Sequence, residues 1–491
     1  MLLHDVETGD VVEVGPREWV LLAAADGTRD IDGIRMAAAR ENVVAGADVV
    51  TALLLGVRRA GMLADGPLLR KGRGDAAQEA AAAVVTAAGE AAAESGAVSI
   101  PREKRPIERL PGYTFHCDGH GSCCRIYATV VFSPLEVARA RSLRPEVLDG
   151  GEREEHAFMP VRGTGGTGGS GAGMAVAIVD GRCAYLEGSL CSLHRTGGAG
   201  AKPLGCNLFP LALVDDGTRV RASVSVECAC VLASVGRPGG EPILPETALV
   251  RGDLDPAVVV DELPASVQIE GERCAPLADY VRWSDAALAA LAEAEIEGPG
   301  AITGDLRRPL SADAALAAWA LADALAAHGL DVERARAAIA DPPPLDVELC
   351  ARFLGALAEK AALRAKAQRA WRSERDLCRR GVAVIAASAA LLSDADVLAA
   401  VTAGAGAAAV DEAFYVRACL FGHQMIGYPL VTALRDRAVA IWVARVFPLA
   451  ADTLYSGEVE PAFAHPLALV EALLRGHGLR RYTESLEDPA A

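Results

Sequence analysis

Aromatic residues make up only 4% of this chain of 491 residues, and lysine is scarce beside arginine. With so few large rings, the core has to be assembled from alanine and aliphatic side chains, a composition that favours helices. The arginine bias is of the kind that GC-rich bacterial genomes produce. Positive charge is short overall. A formal charge of −17 excludes a general nucleic-acid-binding surface, which needs clustered basic groups. The uncharged runs 381–393 and 397–410 fall short of the ~18 residues of a membrane span, so no membrane partner is expected. The start, Met1-Leu2-Leu3-His4-Asp5-Val6-Glu7, lacks the basic and apolar regions of a secretory signal, and a cytoplasmic location is the expectation.

Familiar catalytic signatures are missing too. There is no HExxH, no convincing nucleophile-and-base set and no Rossmann entry for S-adenosylmethionine. No lysine precedes serine or threonine, so there is no Walker A site. Gly163, Gly165 and Gly168 fit GxGxxG, but a strand follows them where a pyrophosphate site needs a helix N-terminus. Gly404 and Gly406 begin a similarly weak match. Catalytic residues are unknown from the sequence.

Cysteine is what the chain does have. Of its 12 cysteines, Cys117, Cys123, Cys124, Cys183, Cys191, Cys206, Cys228 and Cys230 fall in one stretch rich in glycine and turn residues. In a reducing compartment, thiols clustered this way are metal ligands more often than disulfides. In "FHCDGHGSCCRIY", Gly119 and Gly121 let the backbone fold around a bound atom. "RIYATVVF" reads as a strand, and Ser133-Pro134-Leu135-Glu136 as a capped helix start. "MAVAIVDGRCAYLEGSLCSLHR" reads as a strand, a turn and a hairpin carrying Cys183 and Cys191. Pro203 and Pro210 frame a loop around Cys206, and an extended "ECAC" turns Cys228 and Cys230 to one side. Adjacent Cys123 and Cys124 point apart unless a tight turn bends both inward. Eight thiolates permit two zinc sites, one four-iron cluster with spare cysteines, or a polynuclear centre; neither paired CxxC knuckles nor a ferredoxin CxxCxxC run is present. His116, His120 and His194 stand beside the cysteines as further candidates, with a second-shell or surface role the commoner one.

The expected fold class is α+β, mostly α. Residues 1–67 read as strand, three helices, strand; 68–108 as an alanine-rich and then proline-rich linker; 109–240 as a cysteine domain of loops and short strands; 241–280 as a connector; and 281–486 as a helical bundle. Cys350, Cys378 and Cys419 fall in helical patterns as buried apolar residues, and Cys274 is a stray ninth candidate ligand. Tyr415, Phe421, His423 and Tyr428 form a stripe whose default role is core packing.

Two resemblances follow. The run "LLHDVETGDVVEVGPREWVLLAAADGTRDIDGI", closing with "GMLADG", resembles PqqD-like winged-helix domains, which implies docking of a peptide or protein substrate on residues 1–67. Cys117-x5-Cys123-Cys124, "CAYLEGSLCSLHR" and "KPLGCNLFP" look like the YkgJ-type cysteine-cluster family, described as a zinc- or iron-chelating domain with about eight cysteines. Flagellin lysine N-methylases carry a similar cluster followed by a helical region, which 415–447 loosely resembles. The resemblance implies an iron-sulfur cluster or zinc on the eight cysteines, possessed by either a peptide-modifying system or a protein in which the metal only organises the fold. The insertion "PVRGTGGTGGSGAG" departs from the family pattern.

Overall fold

Short strands and long alanine-rich helices share this chain because its glycine- and proline-rich stretches end where helical periodicity begins. A computed structural model describes residues 100–119, 121–126, 130–143, 158–161, 173–176, 178–179, 182–255, 258–292, 296–297, 301–302, 313–368, 377–403, 410–455, 465–476 and 479, with 2–4, 11–13, 21–22, 34 and 50 of the first hundred. The described fold is α+β and mostly α. The chain divides into two units, Met1–Val98 and Ser99–Ala491.

In the first unit, β1 (Leu2–His4) pairs antiparallel with β2 (Val11–Glu13). The second strand is the alternating run read from the sequence. Leu21, Ile34 and Val50, one from each expected helical run, are helical and buried. The rest of this segment, including the expected closing strand and the linker helix, lies outside the described residues.

The second unit begins with β3 (Ile107–Arg109), followed by α1 (Cys123–Ile126), β4 (Val131–Phe132) and α2 (Pro134–Leu143). The expected strand over 125–132 is corrected here. After Gly121, which has a positive φ of 66°, the amides of Arg125 and Ile126 both bond to the Ser122 carbonyl, and the chain coils before it extends. The cap of α2 is as read: the Ser133 amide donates to Glu136 Oε2 at 2.7 Å, and the Glu136 amide donates to Ser133 Oγ at 3.3 Å. β5 (Phe158–Val161) and β6 (Gly173–Val176) complete an antiparallel sheet in the order β4-β6-β5. Two hairpins follow, β7 (Ile178–Val179) with β8 (Arg182–Cys183) and β9 (Leu186–Glu187) with β10 (Leu190–Cys191). Next come α3 (Ser192–Gly197) and α4 (Leu204–Leu208). Cys206 therefore sits on a short helix, not in a loop, because Pro203 at the N-cap favours a helix start.

β11 (Leu211–Asp215) and β12 (Val220–Val224) form the centre of a four-stranded sheet, and β13 (Asp261–Glu262) and β3 add in parallel at its edges. β12 leads through a turn into α5 (Ala229–Ala233). The hairpin β14 (Ser266–Glu270) with β15 (Arg273–Pro276) then delivers the chain to α6 (Leu277–Ala292). The helices α7 (Ala314–His328), α8 (Val332–Ala340), α9 (Val347–Gln368), α10 (Leu377–Leu392), α11 (Ala395–Ala403), α12 (Val410–Phe421), α13 (Leu430–Tyr455) and α14 (Pro466–Gly476) complete the described architecture. The apolar run over 412–447 forms two helices, α12 and α13, because Gly422, Gly427 and Pro429 break it. A Cβ on Gly422 would lie 2.7 Å from Ser223 Oγ, so glycine lets the end of α12 approach β12. By length and composition α13 could cross a membrane, but 61% of its apolar window is buried inside the protein, where it serves as a core helix. It packs against α7, α10 and α14.

A buried charge network joins this sheet to the helices. Arg221 on β12 is fully buried; it is ion-paired with Asp285 of α6, donates to the Phe421 carbonyl at 3.2 Å, and lies over the Phe421 ring. Arg219 pairs with the same Asp285, with Asp216 at 3.2 Å and with Glu108 of β3 at 3.0 Å. His423, buried at a positive φ of 49°, faces Tyr280 at 3.2 Å and Asp216 at 3.8 Å. Burial and the Arg221 charge lower its pKa to about 4. Asp216 falls well below the carboxylate range: burial opposes the shift, and His423 and Arg221 overcome it.

Two measurements check this network. Asp285→Ala leaves two buried guanidinium groups without their shared partner and should cost about 3–5 kcal/mol in denaturant unfolding; a loss below about 1 kcal/mol would refute the role. A folded His423 that stays neutral binds fewer protons than the unfolded chain between pH 6.5 and about 4. Stability should therefore fall as pH drops through that window, by about 3 kcal/mol from this group, and His423→Asn, which tolerates the same backbone, should flatten the slope.

Candidate metal centre

The eight clustered cysteines arrive from five separate segments. Cys117 precedes the Gly119–Gly121 crossing; Cys123 and Cys124 open α1; Cys183 ends β8; Cys191 ends β10 and precedes α3; Cys206 is in α4; Cys228 is the N-cap of α5, and Cys230 lies in its first turn. Both glycines in the first segment have positive φ, 72° and 66°. A Cβ on Gly121 would meet the Ser189 carbonyl oxygen at 2.8 Å, and one on Gly119 would meet Leu190 at 2.9 Å. Glycine is thus what allows the first cysteine loop to lie on the Cys183–Cys191 hairpins.

Because α1 is helical, Cys123 and Cys124 do not point apart, and their sulfurs are 3.9 Å from each other. Cys228 and Cys230 also come together, but through a helix start and not an extended strand. Cys230 Sγ donates to Asp118 Oδ1 at 2.8 Å, with Cys117 and Cys228 near it. Cys183, Cys191 and Cys206 stand within electrostatic reach of one another and of the Cys123–Cys124 pair. Cys117 and Cys123 also feel each other. Among the described residues, no three Cys, His, Asp or Glu side chains already surround one point as ion ligands.

Their electrostatics follow from that crowding. Cys117 is pushed well above the thiol range, first by its hydrogen bond with Cys230 and then by burial of its thiol end. In Cys230, the bond from Cys117 favours the thiolate, but Cys228, burial and the Asp118 carboxylate outweigh it, and its pKa rises. The Cys123–Cys124 pair shares its protons unequally: the contact lowers Cys123 and raises Cys124. Burial raises Cys183 to about 11 and Cys206 to about 12. Lys202 pulls the other way on Cys117, Cys123 and Cys206. Crowded thiols are a soft donor set, and a soft cation that coordinates such a set displaces its protons.

Buried polar atoms without a hydrogen-bond partner flank the same segments: Tyr185 Oη between Cys183 and Cys191, Ser192 Oγ beside Cys191, and His116 Nε2 beside Cys117. Groups of this kind orient ligands and donate to bound sulfur. His116 is half-buried with its ring against Gly240, His194 is exposed on α3, and His120 lies outside the described residues. Cys274 is exposed on β15, and Cys350, Cys378 and Cys419 are buried in helices. Tyr415, Phe421 and His423 are core residues, with Tyr415 Oη donating to the buried Glu471 at 2.6 Å. A pocket of about 340 Å³ lined by Ile269, Ala275, Asp279, Arg282, Leu330 and Val332 has no cysteine in its wall.

Sequence reasoning missed three contributors, Asp118, Lys202 and Glu136. Glu136 caps its own helix with Oε2, while Oε1 accepts the Leu204 amide at 2.6 Å, which fixes the first turn of the helix that presents Cys206. The capping pattern was visible in the sequence; its second use depends on a residue far along the chain. Comparison with protein-family models, curated proteins and solved structures finds no match for this chain.

Glu136→Ala should remove both bonds. The expected result is faster hydrogen exchange at the Leu204 amide and a loss of about 1–2 kcal/mol in stability, with unchanged exchange at Leu204 counting against the coupling.

Proposed function

We propose that residues 109–240 bind metal through Cys117, Cys123, Cys124, Cys183, Cys191, Cys206, Cys228 and Cys230, as an iron-sulfur cluster or as zinc, in a protein that serves a protein- or peptide-modifying system such as lysine N-methylation. The observation that carries the reading is the gathering of thiols around two contacts, Cys123 Sγ 3.9 Å from Cys124 Sγ and Cys230 Sγ 2.8 Å from Asp118 Oδ1, with Cys183, Cys191 and Cys206 near the first and Cys117 and Cys228 near the second. Bringing so many thiols near one another has no packing advantage over aliphatic side chains, whereas zinc and iron-sulfur centres require it. A bound cluster would supply electron transfer, and bound zinc would supply Lewis acidity or cross-linking. The chain's own contribution is to hold the thiols, to orient them from Tyr185, Ser192 and His116, and to offset thiolate charge with Lys202. In this reading the first 67 residues, with their PqqD-like sequence, dock the peptide substrate.

A second reading, in which the metal is purely structural, is favoured by one observation. Cys183 is part of a small core with Phe132, Phe158 and Tyr185, on which Cys124 and Cys191 pack, whereas Cys228 and Cys230 belong to the main helical core. A metal there would tie two cores together and add about 10–16 kcal/mol to folding.

Anaerobic purification with metal analysis and an absorption spectrum separates these outcomes. Iron with sulfide and a broad band near ~400 nm selects a cluster, and colourless zinc selects the other branch. Cys124→Ser, Cys191→Ser and Cys206→Ser should each lose metal and loosen the domain; full metal retention in all three would overturn the assignment.

A further inference from the structure

Adjacent Cys123 and Cys124 hold their sulfurs 3.9 Å apart, and neither is fully enclosed, since both residues are half-buried. Their backbone is fixed on either side. The Cys124 amide donates to the Gly121 carbonyl at 3.1 Å, the Arg125 and Ile126 amides donate to the Ser122 carbonyl, and Cys378 Sγ of α10 reaches the Arg125 and Ile126 carbonyls at 3.5 Å. Cys124 also packs on the small core around Phe132, Phe158 and Tyr185. A ligand that bonds both sulfurs therefore loses little in ordering them. Direct linkage of the two is harder. A disulfide needs an S–S bond of about 2.05 Å and a Cα separation of about 4.4–6.8 Å, whereas adjacent Cα atoms across a trans peptide lie about 3.8 Å apart. A bridging atom fits better: with two bonds of about 2.3 Å, the length of a zinc-thiolate bond and close to that of an arsenic-thiolate bond, it spans 3.9 Å at an angle of about 116°. Zinc requires four donors, two more than this pair supplies. A trivalent arsenic atom carrying one organic group bonds two thiols and no more, and rotation of either cysteine side chain closes the angle toward its pyramidal geometry.

We propose that Cys123 and Cys124 are a dithiol site that captures trivalent organoarsenicals. The arsenical enters as R–As(OH)2. Two As–O bonds break and two As–S bonds form, and each thiol proton leaves with a hydroxyl group, so that two waters are released. Arsenic stays trivalent and both sulfurs keep their oxidation state, so no oxidant or reductant takes part. Soft sulfur donors select the soft acceptor, and the fixed spacing makes the second bond intramolecular once the first has formed. Cys350, Cys378 and Cys419 are buried and out of reach of the reagent. The site needs neither a metal nor the other six clustered thiols, although in a metal-loaded chain the same two sulfurs would be occupied. Capture and metal loading are in that case mutually exclusive.

The test titrates the full reduced chain, stripped of any metal by chelator under anaerobic conditions, with phenylarsine oxide. Intact mass should show one phenylarsenic group per chain, and a free-thiol count should fall by two. Tandem mass spectrometry of the tryptic peptide 110–125 should place the group on Cys123 and Cys124, with Cys117 still open to alkylation. A dithiol such as 2,3-dimercaptopropanol should release it, and an equal thiol concentration of glutathione should not. Cys123→Ser and Cys124→Ser should each weaken capture about 100-fold or more, since one thiol remains, and Cys274→Ser should leave it unchanged. Far-ultraviolet dichroism identifies a variant that has lost its fold, and the wild-type peptide map decides the matter if both serine variants unfold. Capture at full strength in both folded serine variants, a group bridging other cysteines, or no capture at all overturns the site. The fate of the metal reading is read separately: a chain isolated without metal that still captures one phenylarsenic group upholds the dithiol site alone, and a chain isolated with metal that captures none after stripping overturns the dithiol site alone.

Discussion

The interaction on which the rest of the second unit hangs is the buried ion pair between Arg221 and Asp285. β12 is the strand to which β3 and β11 pair, and α6 is the helix on which α8 and α12 pack. A charge pair with neither partner in water gains little over an apolar contact, but it is unforgiving of misalignment, since either ion left alone is strongly destabilising. The pair thus acts as a registration device. It sets the sheet's height on the helices, and Arg219, Glu108, Asp216 and His423 complete the solvation that water would otherwise give. The turn from β12 into α5 hands that registration to Cys228 and Cys230 within a few residues.

The thiol segments upstream are held differently. Their core is small, a few aromatic and aliphatic side chains around Phe132, Phe158 and Tyr185. Local devices do the positioning: two left-handed glycines, two minimal hairpins and the doubly employed Glu136. Such a region has little apolar burial with which to fix its six cysteine side chains. A ligand that binds them all would supply the missing order. The large helical core, by contrast, carries its own polar pairing, in which Glu471 accepts from Tyr415 Oη at 2.6 Å and from Arg437 at 2.9 Å.

What the sequence revealed, it revealed through local rules. The capping box at Ser133, the hairpins carrying Cys183 and Cys191, the apolar periodicity of the helices and the burial of Cys350, Cys378 and Cys419 all depend on neighbours close in sequence. The failures share a cause. Val-rich composition suggested a strand after Cys124, but the Ser122 carbonyl bonds two successive amides and coils the chain. Asp118, Lys202 and the buried arginines were invisible for a simpler reason: their partners are distant in sequence, and a charged residue looks solvated until its partner is known.

The four residues of α1 span the boundary between these two regimes. Its first two residues are Cys123 and Cys124; its last, Ile126, is buried in the main core, and the thiol of Cys378 in α10 reaches the carbonyls of Arg125 and Ile126 at 3.5 Å each. So short a helix has no length over which to absorb a displacement. Any displacement of Cys123 or Cys124 is therefore felt at once as a movement of a core side chain against α10.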